Sequence, residues 1–196
     1  MNRLFLICSV LVEASMASAF QKIDGKYLVP YGNPKADIQI VEYFSLSCPK
    51  CFEFFKEDFP SIKKKYIDSG KVFWLFHPDP VDLPTLQMMV CLDHLQDKQR
   101  ALFFEVLIKH LMEKKSRHGC LVMQAAMEAL ENPLPDLDKM EFLEKSEAFK
   151  ESVKFLKQKD VINMIPTVEI DGKICEEYPT AEMLEKKIDQ KIKGEP

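Results

Sequence analysis

Asp37-Ile38-Gln39-Ile40-Val41-Glu42-Tyr43-Phe44-Ser45, followed after Leu46-Ser47 by Cys48-Pro49-Lys50-Cys51, is the stretch on which the fold turns. Its first part is β-branched and aromatic and reads as a buried strand. Beyond it, Phe52, Phe55, Phe59, Ile62 and Tyr66 recur at spacings of three and four, the apolar face of a helix that ends near Ser69-Gly70. Pro49 suits the first helical position, where its missing N–H costs nothing. Cys48 then stands at the helix N-terminus, where unpaired N–H donors and the helix dipole favour thiolate over thiol. Lys50 adds a positive charge acting in the same direction. Cys51, one turn in, is expected to be more buried and to act as the resolving thiol.

A disulfide between Cys48 and Cys51 contributes only about 2 kcal/mol in the chain-entropy picture, against about 3 kcal/mol for a 15-residue loop. Such a bridge is a weak staple, better suited to opening and closing again. Two buried structural cysteines are the bland alternative, and zinc is the sharper one, because Cys91-Leu92-Asp93-His94 supplies a second pair at ligand spacing. Against zinc, Cys51 runs straight into Phe52-Glu53-Phe54-Phe55 rather than into a tight turn. Cys91 and His94 also share one face of a predicted helix, where such a pair often arises by chance. His77, His110 and His118 form no ligand motif and read as surface or loop positions. The sequence assigns no metal ligand and no cofactor.

The 196 residues are 46% apolar and 30% charged, an ordinary globular composition, and the net charge of −4 gives no electrostatic reason to expect nucleic acid. Arg3, the apolar run 4–12 and Ala17-Ser18-Ala19 read as an export signal over residues 1–19, cut before Phe20. That run is shorter than the ~20 residues a membrane-spanning helix needs. The expectation is a soluble domain over residues 20–196 in an oxidising compartment, with Cys48, Cys51, Cys91, Cys120 and Cys175 remaining. An odd number leaves at least one thiol unpaired within a monomer. Residues 71–77 read as a second buried strand, stopped by Pro78-Asp79-Pro80. Helical patterns then cover 83–95, 98–115, 120–130 and 144–160. Asp171-Gly172 signals a hairpin, and Thr180 caps a last helix reaching about Lys193. Met88, Met89 and the many phenylalanines read as core.

The run 33–51 resembles the strand and active-site turn of DsbA-like thiol-disulfide oxidoreductases, thioredoxin-fold proteins of the bacterial cell envelope. Ile165-Pro166-Thr167-Val168-Glu169-Ile170-Asp171-Gly172-Lys173 resembles that family's cis-proline segment and the hairpin after it. The resemblance implies an α/β thioredoxin fold with a helical insertion over about 83–160. It implies that Cys48 attacks, that Cys51 resolves, and that Ile165 and Pro166 face them and bind the client. Glu42, six positions before Cys48, takes the place of the family's proton acceptor behind the disulfide. A carboxylate in an otherwise apolar strand needs a reason to be buried; the alternative is an edge position with Glu42 in water.

The implied activity is oxidation of thiols in folding periplasmic clients, with a membrane redox partner, a DsbB-like oxidase or a DsbD-like reductase, to recycle the protein. Pro49 and Lys50 tune the potential. Two residues depart from the pattern: Lys50 stands where the family's best-known oxidant has histidine, and Ile165 precedes the proline as in reducing thioredoxins. A disulfide reductase or isomerase of the same fold therefore stays open, as does a non-catalytic zinc- or client-binding module. The family includes members with an extra bridge in the insertion, which here implies Cys91–Cys120 and leaves Cys175 as the odd thiol; three buried free thiols are the alternative.

Overall fold

A computed structural model describes residues 23–114, 119–157, 162 and 164–194. The export signal read in residues 1–19 lies outside them. Among the described residues, β1 (Val29–Tyr31), β2 (Ile38–Phe44), β3 (Val72–Pro78), β4 (Thr167–Ile170) and β5 (Lys173–Ile174) form one sheet in the order β1-β3-β2-β4-β5. The strand read from the opening stretch is the central one. It runs parallel to β3, with Ile38 opposite Val72, and antiparallel to β4, with Glu42 opposite Val168. A central strand is covered on both faces, and all of β2 except Gln39 is buried. Pro30 sits in β1, an edge strand, where a missing N–H breaks no ladder. Asp171 and Gly172, at φ +47° and +82°, make the expected tight hairpin between β4 and β5.

The helix after Cys48 is built in three pieces: α1 (Pro49–Glu57), α2 (Phe59–Ile62) and a wide π turn over Lys63–Ile67, closed by Asp68 N–H donating to Lys63 O at 2.8 Å. Pro60 has no N–H to continue the α1 ladder, so the chain restarts there. The break lets the Asp58 carboxylate reach across to accept from the N–H of Ala181 at 2.9 Å, at the start of α8 (Ala181–Ile192). Thr180 caps the same helix, accepting from Met183 N–H at 3.2 Å. Phe54 turns out to be fully buried, while Phe52 and Phe55 are only half covered. The buried face is thus rotated by about one residue from the periodicity reading.

Between β3 and β4 lie α3 (Leu83–Asp93), α4 (Asp97–Lys114), α5 (Gly119–Ala129), α6 (Met140–Lys145) and α7 (Glu147–Leu156). The single helix read over 144–160 is two, because the Ser146 hydroxyl accepts from Phe149 N–H at 3.1 Å and caps a new helix. The core is aromatic. Trp74 and Phe76 of β3 meet Phe54 and Phe59, while Phe104 of α4 lies 5.1 Å from Phe44 and 5.4 Å from Phe55, centroid to centroid. Met88 and Met89 are fully buried, as read. His77 is not at the surface. It is fully buried in β3, its Nε2 accepting from Ile23 N–H at 3.1 Å and its Nδ1–H donating to Pro78 O at 2.9 Å. Backbone groups supply what water otherwise would. Among the described residues no helix is long and apolar enough to cross a membrane.

Gly32, between β1 and β2, holds φ +88°, and a Cβ there meets both Ile67 Cγ2 and the Val72 carbonyl oxygen at 2.8 Å. A backbone oxygen inside a sheet cannot swing away. Gly32→Ala is expected to cost about 2–3 kcal/mol, strain and clash together. Urea unfolding should show this as a lower midpoint at unchanged slope; an unchanged midpoint contradicts it.

Candidate active site

β2 ends at Phe44, and four residues later the chain enters α1 with Cys48 as its N-cap and Pro49 as its first helical residue. The backbone N–H of Cys51 donates to Cys48 Sγ at 3.4 Å, the orphan donor of a helix start aimed at sulfur. The two sulfurs are unbonded, so the structure describes the dithiol form. Cys48 is partly exposed and Cys51 is 5% exposed. Burial pushes the Cys51 thiol well up from its ordinary range, and a hydrogen bond to Cys48 adds to this; a hydrogen bond from the Ser45 backbone offsets it in part. One thiol faces solvent and the other is held protonated behind it.

The second segment comes from the far end of the chain. The Ile165–Pro166 peptide bond is cis, and Cys48 Sγ donates to Ile165 O at 3.6 Å. Met164, the residue before, is 57% exposed beside this contact. The carbonyl of residue 165 thus meets the Cys-x-x-Cys turn, with Pro166 next to it in the chain.

Glu42 lies beneath, fully buried in the central strand rather than at an edge. Neither carboxyl oxygen has a hydrogen-bond partner among the described residues. Burial pushes its pKa well up, and the Cys48 charge pushes the same way. The indole N–H of Trp74 offsets this only in part, since it falls short of hydrogen-bond geometry. A cavity of about 10 Å³ is lined by Glu42, Cys51, Ser45, Phe52 and neighbouring aromatics. That is close to the least volume that admits one water.

Lys50 has a carboxylate partner of its own. Its Nζ is 2.5 Å from Glu53 Oε2 and 6.0 Å from the ring centroid of Tyr178, so its charge is answered locally. Tyr178, whose hydroxyl donates to Lys50 O at 3.4 Å, carried no sequence signal. Cys91 is fully buried in α3, and His94 points Nδ1 at Val90 O, 2.8 Å away. Among the described residues no three His, Cys, Asp or Glu side chains gather as a metal site. The side chain of Cys120 lies outside the described residues, and so does the Cys91–Cys120 pairing. Cys175 is a half-buried thiol after the hairpin, its pKa raised by burial.

The fold compares closely with solved structures. BdbD from Bacillus subtilis in its oxidised form superposes with a TM-score of 0.69 at 19% identity, covering 88% of this chain and 96% of that one. Wolbachia pipientis alpha-DsbA1 gives 0.62 at 22% identity, over 83% and 89% of the two chains. DsbA of Chlamydia trachomatis gives 0.63 at 21% identity, over 86% and 93%. In sequence, proteins of Rickettsia typhi and Rickettsia prowazekii that carry protein-disulfide oxidoreductase as a provisional name are each 44% identical over 54 residues, 28% of this chain. The chain matches about 20% of the length of these curated relatives. The sequence pattern of the family described as thioredoxin matches residues 25–190, nearly the whole described fold. With that match, and with the sheet order and cis-proline segment in place, the chain belongs to the thioredoxin family.

Proposed function

We infer that this chain is an exported dithiol-disulfide oxidoreductase, working in the periplasm or an equivalent space outside the cytoplasm, that oxidises thiols of folding client proteins through Cys48 and Cys51. The observation that carries the reading is the asymmetry of the pair. Cys48 is accessible at a helix N-terminus and touches the segment before Pro166, and Cys51 is buried behind it. In the oxidised protein a client thiolate attacks Cys48 Sγ. The Cys48–Cys51 bond breaks, and Cys51 leaves with the electron pair and takes a proton. A second client thiolate then attacks the client sulfur of the mixed disulfide, and Cys48 leaves as thiolate. Two electrons pass from the client dithiol to the protein, and the client gains a disulfide. Glu42, on the wall of the same small cavity as Cys51, is the group positioned to give and take the proton at that sulfur. The exposed Met164, next to Ile165, suits contact with an extended client segment. A membrane oxidase that reoxidises the dithiol completes the cycle.

The pairing of Lys50 with Glu53 favours a second reading, a reductase or isomerase served by a membrane reductase. With its charge answered by Glu53, the ammonium supports a Cys48 thiolate less. Equilibration with glutathione separates the two. A potential near the ~−120 mV of the strongest oxidases supports oxidation, and one near the ~−270 mV of thioredoxin supports reduction. A Cys48–Cys51 pair that does not exchange with glutathione at all removes both.

A further inference from the structure

We propose that Asp82, acting through Ser45 and Thr85, is a positioning residue that fastens the approach to Cys48 onto the helical insertion; this rests on the oxidoreductase reading. Asp82 is the N-cap of α3 and accepts from Thr85 N–H at 2.8 Å. It also accepts two hydroxyl protons, from Thr85 Oγ1 at 2.9 Å and, in a very short contact, from Ser45 Oγ. Each hydroxyl has one proton to give, so each is left to accept from the backbone. Thr85 Oγ1 accepts from Leu46 N–H at 2.8 Å, and Ser45 Oγ accepts from Ser47 N–H at 3.0 Å. Cys48 N–H donates in turn to Ser45 O at 3.2 Å.

The backbone N–H groups of Leu46, Ser47 and Cys48 are thereby received, two of them by hydroxyls whose orientation one carboxylate sets. Thr85 is fully buried and Ser45 is 2% exposed, so water cannot substitute for either. A plain helix cap needs only the Thr85 N–H contact. The two further hydroxyls make no use of the cap and serve only the 45–48 segment. That segment fixes where Cys48 Sγ sits relative to Cys51 N–H and Ile165 O. Because a thiolate gains more from the Cys51 N–H than a disulfide does, holding Cys48 Sγ in line with that donor favours the reduced form and makes the disulfide more oxidising.

The test measures the Cys48–Cys51 equilibrium constant with glutathione, the rate of Cys48 alkylation against pH, and the melting temperature, in wild type, Thr85→Val, Thr85→Ser and Asp82→Asn. Asparagine caps a helix as well as aspartate does, so Asp82→Asn keeps the cap while weakening reception of the hydroxyls. The expected result is a shift of at least fivefold toward the disulfide in Thr85→Val and in Asp82→Asn, slower alkylation near neutral pH in both, and wild-type behaviour in Thr85→Ser. A charge acting through space predicts the opposite sign for Asp82→Asn, since removing a negative charge favours the thiolate. That opposite sign, or a shift below twofold in both variants, overturns the inference. If Thr85→Val does not fold, Asp82→Asn against wild type decides the matter alone. A wild type that never equilibrates with glutathione overturns the oxidoreductase reading and this inference with it, whereas an active wild type with unshifted variants overturns this inference only.

Discussion

Replacing Cys48 with alanine is expected to reduce disulfide transfer to a reduced, unfolded client to the uncatalysed background. The reason is access as much as chemistry. Cys51 is almost wholly buried, and burial holds its thiol protonated, so it offers an incoming sulfur neither a path nor a thiolate to displace. Cys51→Ala is the complementary case. A mixed disulfide, formed when the Cys48 thiolate attacks a client disulfide, then lacks the Cys51 thiol that would attack Cys48 Sγ and free the client, so client adducts accumulate and appear as slow-migrating bands on non-reducing gels. Reduction should dissolve them. A Cys48→Ala protein that still oxidises clients removes the mechanism, and a Cys51→Ala protein without adducts removes the role of Cys51.

Glu42→Gln is expected to flatten part of the dependence of stability on pH. The folded protein holds the Glu42 carboxyl well above its ordinary value of 4.5, chiefly by burial. Below that value the group is protonated in folded and unfolded chains alike, and the shift costs nothing. As pH rises past it, the unfolded chain releases the proton and the folded chain keeps it. Folding then loses about 1.4 kcal/mol per pH unit until the buried carboxyl itself ionises. Glutamine has no proton to lose. The variant should match the wild type in urea melts near pH 4.5 and exceed it increasingly as pH rises, until the buried carboxyl ionises. Its exchange should also slow at the step in which Cys51 gains or loses a proton. Parallel stability curves across that range would show that Glu42 ionises normally and end its assigned role.

The strand, the cysteine turn, the hairpin and the capped last helix were legible because each depends on local chemistry. Pro49 fits only a helix start, Asp171-Gly172 fits a left-handed turn, and Thr180 needs only the N–H three residues on. The burial of Glu42 was open in the sequence, because a single acid in an apolar strand fits an edge as well as a centre; pairing with both β3 and β4 decides it. His77 was misread for a related reason. One ring nitrogen pairs with the neighbouring Pro78 carbonyl, but the other accepts from Ile23, 54 residues away, which no local pattern announces. The break at Ser146 hid inside an unbroken apolar rhythm, since a serine in a helical pattern looks the same whether it caps or merely faces out. The partners of Ser45 and the contact of Phe104 with the redox helix are set by how the insertion packs back, and periodicity names a face without naming what covers it.

The redox helix leans on residues far away in the chain: Asp58 on Ala181, Tyr66 on Asp189, Lys65 on Glu185, and Cys48 on Ile165. The corresponding separations are 123, 123, 120 and 117 residues. Contacts so distant along the chain form late, because long loops must close before they are rewarded. When such a protein emerges from the ribosome, Cys48 is made 117 residues before Ile165. Until Ile165 has appeared, the attacking thiol has no carbonyl to meet it, and until residues beyond 180 have appeared its helix lacks the braces from α8. Competence for exchange therefore arrives abruptly, once α8 has been made, rather than growing with chain length.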